Sequence, residues 1–149
     1  MEILEIGEKL EGKHYDFRNL CFGLVEKDDK IMLVYTHKDR NHSMPGGGIE
    51  EGETPEEAIK REFLEEAGYE IESAEEIVQV HSYWNLKDGQ ITRERFAHIF
   101  LVKVKEESKQ TPLEDWHIRV LADKEDAIEL IPFPYQKAGI EYYLKNLKR

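Results

Sequence analysis

The segment Met44-Pro45-Gly46-Gly47-Gly48 constrains the fold of this chain more than any other. Proline lacks an amide donor and glycine carries the largest backbone entropy cost, so these residues cannot lie inside a helix. A helix is nonetheless signalled a few residues later. Thr54 stands as an N-cap, Pro55 fits the first helical position, and Glu57 completes a Thr-x-x-Glu capping box. Gly68 supplies the stop. Between these signals Ile59, Phe63 and Ala67 recur at four-residue spacing, which predicts one face turned to a core. The chain therefore runs an irregular glycine loop straight into a packed helix.

The flanking segments read mainly as strands. Tyr15 to Val25 and Ile31 to Tyr35 are apolar runs separated by the polar turn Glu26 to Lys30, which predicts a hairpin. Thr36 to Ser43 is polar and basic and reads as a loop. Ile71 to Trp84 and Ile91 to Val104 carry further strand patterns around a turn at Lys87 to Gln90. In the second, Phe96, His98, Phe100 and Val102 alternate with Ala97, Ile99, Leu101 and Lys103, which predicts a strand buried at its centre and half-exposed at its end. Tyr135 to Leu147 has Ile140, Tyr143, Leu144 and Leu147 at helical spacing and predicts a closing helix. Strands interleaved with two main helices imply an α/β layered sandwich with a mixed sheet. At 149 residues, with no repeat or linker, one domain spanning 1–149 is expected.

The formal net charge of −11 disfavours a nucleic-acid or anionic-membrane binder, whose affinity comes from neutralising phosphates. A polyphosphate substrate would need a divalent cation to offset the repulsion. The single Cys21, between Leu20 and Phe22, excludes an intramolecular disulfide and a Cys-based zinc site and reads as a buried, inert thiol. The acidic start of the chain lacks the basic and apolar regions of a signal peptide, and no apolar run is long enough to span a bilayer. A cytoplasmic, membrane-free protein is expected.

The second face of the helix carries the chemistry. Glu62, Glu65 and Glu66 stand at i, i+3 and i+4, so their like charges repel within one turn. Alone, they fit either a solvated acidic face or a site for hard divalent cations, which prefer oxygen. The preceding loop favours the second, because three glycines let the backbone approach a ligand and aim a carbonyl oxygen at a metal. Glu53 and Arg61 fit an ion pair tying loop to helix. The loop has neither a Walker A ending nor a G-x-G-x-x-G pattern.

Gly47 to Tyr69 resembles the Nudix box, G-x5-E-x7-R-E-U-x-E-E-x-G-U with U apolar or aromatic, at all nine specified positions. The box spans about a sixth of the chain. The resemblance implies a Nudix-type α/β/α sandwich. It also implies an enzyme that hydrolyses a diphosphate linkage in a nucleoside diphosphate joined to a group X, with Mg²⁺ or Mn²⁺. The implied metal ligands are Glu62, Glu65 and Glu66 with the Gly46 or Gly47 carbonyl, while Glu53 and Arg61 have mainly organising roles. The resemblance also allows a homodimer. A fold-keeping module that binds nucleotides without catalysis is the alternative; such modules usually break the Arg-Glu or Glu-Glu positions, which are intact here.

Other candidates stand beside plainer readings. Glu94 fits a general base from a later loop, or an exposed carboxylate paired with Arg93 or Arg95. His37, Lys38, Arg40 and His42 form a basic cluster that fits a grip on the distal phosphate, or a solvated loop. Arg18 lies on the first strand, where the family often has a substrate-contacting arginine. Tyr83 and Trp84 offer flat faces for a base, or partly buried packing. His81, His98 and His117 lack metal spacing and read as structural. No proline falls between Pro55 and Pro112, so the marker of the ADP-ribose group is missing. Pro132-Phe133-Pro134 reads as a coincidental likeness to part of another marker. The short chain favours a small nucleotide-type substrate, a nucleoside triphosphate or nucleotide derivative, over capped RNA.

Overall fold

The computed structural model describes residues 1–108, 111–112 and 117–148. The strands are β1 (Ile3–Ile6), β2 (Asp16–Leu24), β3 (Glu26–Lys27), β4 (Lys30–Thr36), β5 (Asn41–Ser43), β6 (Gly46–Gly48), β7 (Ile71–Leu86), β8 (Ile91–Val104) and β9 (His117–Asp123). The helices are α1 (Pro55–Glu62), α2 (Lys124–Leu130) and α3 (Pro134–Asn146). A mixed sheet runs β1-β7-β8-β2-β6. Its β1–β7 and β8–β2 pairs are parallel and its β7–β8 and β2–β6 pairs antiparallel. A second, antiparallel sheet is built on β4, which pairs with β9 along its length and with β3 and β5 at its ends.

Alternation along β2 explains why the mixed sheet is buried on both sides. Leu20, Phe22 and Leu24 join Val80, Ile99 and Ile140 in the core beneath α3. Cys21 and Val25 join Ile59, Phe63 and Phe100 in the core beneath α1. Gly23 makes room on that second side, where a Cβ would lie 2.2 Å from the Phe63 ring. The expected α/β/α layering around a mixed sheet is therefore present, with Ile59, Phe63 and Ala67 fully buried. The capping box forms, with Glu57 N–H donating to Thr54 Oγ1 at 3.1 Å and Thr54 N–H to Glu57 Oε1 at 2.9 Å.

Three local expectations are corrected. The segments read as a first hairpin end up in different sheets, because both edges of β2 are taken by β8 and β6. The turn forms between β3 and β4 instead, with Asp28 and Asp29 at φ of 52° and 64°, as a two-residue hairpin turn requires. The supposed loop from Thr36 to Ser43 contains β5, and Arg40 closes the bend at φ 56° with its N–H on the Thr36 carbonyl. The box helix is also not uniform. After Glu62 it widens into a π turn over Phe63–Ala67, which ends at Gly68 with φ 73° and an N–H bond back to the Phe63 carbonyl. Such widened turns are frequent at functional sites. Among the described residues no helix is long and apolar enough to cross a membrane.

Candidate functional site

The glycine segment forms the edge strand β6 of the mixed sheet. Pro45 offers its carbonyl to the Gly23 N–H at 2.9 Å, and Gly46 to Gly48 pair with Phe22 to Leu20. Gly46 takes φ 152°, and a Cβ there would lie 2.1 Å from the Cys21 carbonyl oxygen, so only glycine fits. Beside this strand opens a cleft of about 350 Å³. Arg18, Lys38 and Glu66 line it, and Phe133 and Tyr135 from the start of α3 form an aromatic wall.

Arg61 organises the carboxylates. Its Nε and Nη2 hold the two oxygens of Glu53 at 2.7 and 3.0 Å, and Nη2 also donates to the Gly48 carbonyl at 3.0 Å. Nη1 reaches Glu62 at 3.0 Å and Glu65 at 3.3 Å. This guanidinium, helped by the Glu50 N–H, pulls the Glu53 carboxyl down to about 2. Glu62 lies flat against Gly47, where a Cβ would stand 2.9 Å from Oε1. Glu66 accepts the Gly46 N–H at 2.8 Å and lies 3.4 Å from His117 Nε2. Loop and helix are thus clamped together at Glu53, Glu62 and Glu66. Burial, with the Glu62 charge adding to it, pushes the Cys21 thiol up to about 12, which fits the inert reading.

The donors suit a hard divalent cation: three carboxylates, with glycine backbone alongside, and at Gly47 even a Cβ would press on the Glu62 carboxylate. Among the described residues no three His, Cys, Asp or Glu side chains converge into a ready-made metal cluster. Arg61 bridges Glu62 and Glu65, while Glu66 is turned to the Gly46 amide.

The remaining sequence candidates divide. Arg18 and Lys38 line the cleft, whereas the exposed Arg40 does not, and its backbone N–H closes its own bend on the Thr36 carbonyl. Glu94 and Tyr83 lie opposite one another on the α1 side of the sheet, away from the cleft. Glu94 pairs there with His81 Nε2 at 2.6 Å, and not with an arginine side chain as expected. Burial lowers the His81 pKa, but Glu94 and Glu5 outweigh it and raise the value overall. Trp84 does not line the cleft; it packs edge-on behind Phe133 and Tyr135, at 6.0 and 6.3 Å between centroids. His37 packs on Tyr35, as does His42, and His98 holds Glu76 at 2.6 Å. His117, read as structural, lines the cleft beside Glu66. Sequence reading missed Phe133, Tyr135 and Gln136. Their signal was Pro134 at the first turn of α3, a helix start that places its neighbours at the cleft.

A family model for the NUDIX domain matches residues 18–140. The ADP-ribose pyrophosphatase of Methanocaldococcus jannaschii is 46% identical over 52 residues, covering 31% of this chain and 29% of that protein. The mitochondrial Nudix hydrolase 13 of Arabidopsis thaliana is 26% identical over 131 residues, covering 81% of this chain and 63% of that protein. The chain thus spans less than two thirds of either relative. A MutT protein structure from Bacillus halodurans superposes with a TM-score of 0.69 at 20% identity, covering 85% of this chain and 82% of that one, a likeness of fold.

Proposed function

The chain belongs to the NUDIX domain family, and from that premise we propose that it is a hydrolase of a diphosphate linkage in a nucleoside diphosphate joined to X, dependent on Mg²⁺ or Mn²⁺. The observation that supports this reading best is the contact between Gly47 and Glu62, so close that a Cβ would displace the carboxylate, which sets the glycine strand against the acidic helix beside the cleft. Glu62, Glu65 and Glu66 would hold the cation, with the Gly46 or Gly47 carbonyl at hand. A bound divalent ion offsets phosphate charge, polarises a phosphoryl oxygen and acidifies water. The protein's own part is positioning and charge. Arg18 and Lys38 attract the anionic chain into the cleft of an otherwise acidic body. Phe133 and Tyr135 present apolar faces to a base or other flat group. Arg61, anchored on Glu53, holds Glu62 and Glu65 against the loop. Glu94, held by His81 away from the cleft, has no part in this reading.

The test is turnover across nucleoside triphosphates, ADP-ribose and other nucleoside diphosphate derivatives, with phosphate release coupled to a phosphatase. Turnover should require Mg²⁺ or Mn²⁺. Glu66→Gln should lower it by roughly two orders of magnitude or more, because charge stabilisation at the transition state is worth several kcal/mol. Tight nucleotide binding without turnover on any compound would instead support the non-catalytic binding module. Wild-type turnover by a folded Glu66→Gln protein, at limiting and saturating metal, would remove Glu66 from the site.

A further inference from the structure

Gln136 is a polar side chain only 2% exposed, on the first turn of α3. An amide buried this deeply is costly unless both its ends are bonded, and here both are. Oε1 accepts the Met44 N–H at 2.7 Å, and Nε2 donates to Ser43 Oγ at 3.0 Å. Ser43 Oγ in turn donates to the Met44 carbonyl at 2.7 Å. An aliphatic side chain would fill the same space but leave the buried Met44 N–H unpaired, so the amide's work lies in what it holds. It holds the residue two before Gly46. From there the path is short: Pro45 is tied to Gly23, and the Gly46 N–H donates to Glu66 Oε1 at 2.8 Å.

We propose that Gln136 is a positioning residue for Glu66, fixing the Met44 amide so that the Gly46 N–H aims the Glu66 carboxylate at the cation. This inference rests on Glu66 being a cation ligand, as proposed above. The covalent path from Met44 to Gly46 is only three residues and is pinned at both ends. A shift at Met44 therefore reaches Gly46 with little room to be absorbed. Outer-shell bonds that orient a metal's ligands act in this way, and their loss weakens metal binding without touching the metal itself.

The test is Mn²⁺ titration of the full chain without substrate, with free Mn²⁺ followed by electron paramagnetic resonance and melting curves recorded in chelator. Gln136→Met keeps the bulk but removes the oxygen that meets the Met44 N–H. It should weaken Mn²⁺ binding roughly tenfold or more, the usual cost of losing an outer-shell partner. Gln136→Glu retains an oxygen there and should recover most of the affinity. A purely structural role would lower the melting temperature in both variants and leave affinity unchanged in whatever remains folded. Wild-type Mn²⁺ affinity in Gln136→Met, or equal loss in both variants, overturns the proposal. If Gln136→Met does not fold, Gln136→Asn takes its place: it keeps the amide but draws its oxygen back from the Met44 N–H by one methylene and should weaken binding in the same direction, and wild-type affinity in it overturns the proposal. Glu66→Gln separates the two levels. Unchanged Mn²⁺ binding in Glu66→Gln sinks the metal-site reading itself, whereas weakened binding there with none in Gln136→Met sinks only the positioning role.

Discussion

Adding one methyl group at Gly47 should separate chemistry from folding. Gly47 has an ordinary backbone conformation, so alanine there carries no backbone strain. Its Cβ would, however, stand 2.9 Å from Glu62 Oε1 and 3.0 to 3.1 Å from the rest of that carboxylate. Reaching ordinary contact at 3.4 Å needs a retreat of about 0.5 Å by the tip of a flexible side chain. The fold can absorb this. The bond from Arg61 Nη1 to Glu62 is stretched or lost, a partly exposed charge-assisted bond worth about 1 kcal/mol, or roughly 2–4 °C for a protein of this size. The chemistry absorbs it poorly, since a ligand misplaced by a fraction of an ångström to one ångström costs on the order of tenfold to a hundredfold in rate. Gly46→Ala is the contrasting variant. Its Cβ meets backbone, 2.1 Å from the Cys21 oxygen and 2.7 Å from the Phe22 Cα, so β6 must leave the sheet and stability should fail first. The assays are melting curves in chelator and metal-dependent turnover on the best substrate of the panel. Wild-type turnover and metal affinity in Gly47→Ala would refute the reasoning, because the Glu62 carboxylate would then be free to move without consequence.

Three further outcomes are expected. Phe63→Ala should cost about 3–5 kcal/mol, since the ring is fully buried against Gly23, while metal-dependent turnover survives in the folded fraction; an unchanged melting temperature would contradict the packing. Glu53 has its folded pKa depressed from 4.5 to about 2, so its ionised form contributes stability above the ordinary value that is lost as pH falls through that window. The melting-temperature gap between wild type and Glu53→Gln should accordingly be full at neutral pH and close as pH falls toward 2, and a constant gap would show that Arg61 does not hold that carboxylate. Cys21, with no exposure and its thiol pushed up to about 12, should resist a thiol reagent in the native protein and react on denaturation; rapid native labelling would mean that the core beneath α1 opens.

What could be read from the sequence was what depends on neighbours along the chain. The capping box and the stripe Ile59-Phe63-Ala67 are each written in a few adjacent residues, and each formed, whereas the glycine segment, read as a loop, became the edge strand β6 by pairing with the distant β2. The partner of β2 was not written locally. It was decided by β8, more than seventy residues away, whose parallel register with Asp16–Leu24 leaves β4 no edge to join. The cleft was half legible for the same reason. Arg18 and Lys38 lie close in sequence to the box, but Phe133, Tyr135 and Gln136 reach it only because α3 packs across the mixed sheet. Nothing in Phe-Leu-Glu-Glu-Ala marks a π turn, since these residues also favour an ordinary helix.

The acidic cluster shows how a correct reading of residues can still miss the balance of charge. Three glutamates within one turn suggested repulsion held in check by a metal. Arg61 already supplies much of that compensation, with one nitrogen shared between Glu62 and Glu65 and the others on Glu53. Glu66 stands outside this arrangement, held by the Gly46 N–H and His117. Neutralising Glu66 therefore relieves little repulsion and weakens the Gly46 N–H bond from a charged to a neutral acceptor, so the metal-free protein should gain no stability from Glu66→Gln. A divalent cation entering the cluster would compete with Arg61 for Glu62 and Glu65, and at Glu66 with the Gly46 N–H and His117. On the proposed reading the two kinds of carboxylate would have different work: Glu62 and Glu65 would hold the cation in place of Arg61, while Glu66 would tie it to the glycine strand.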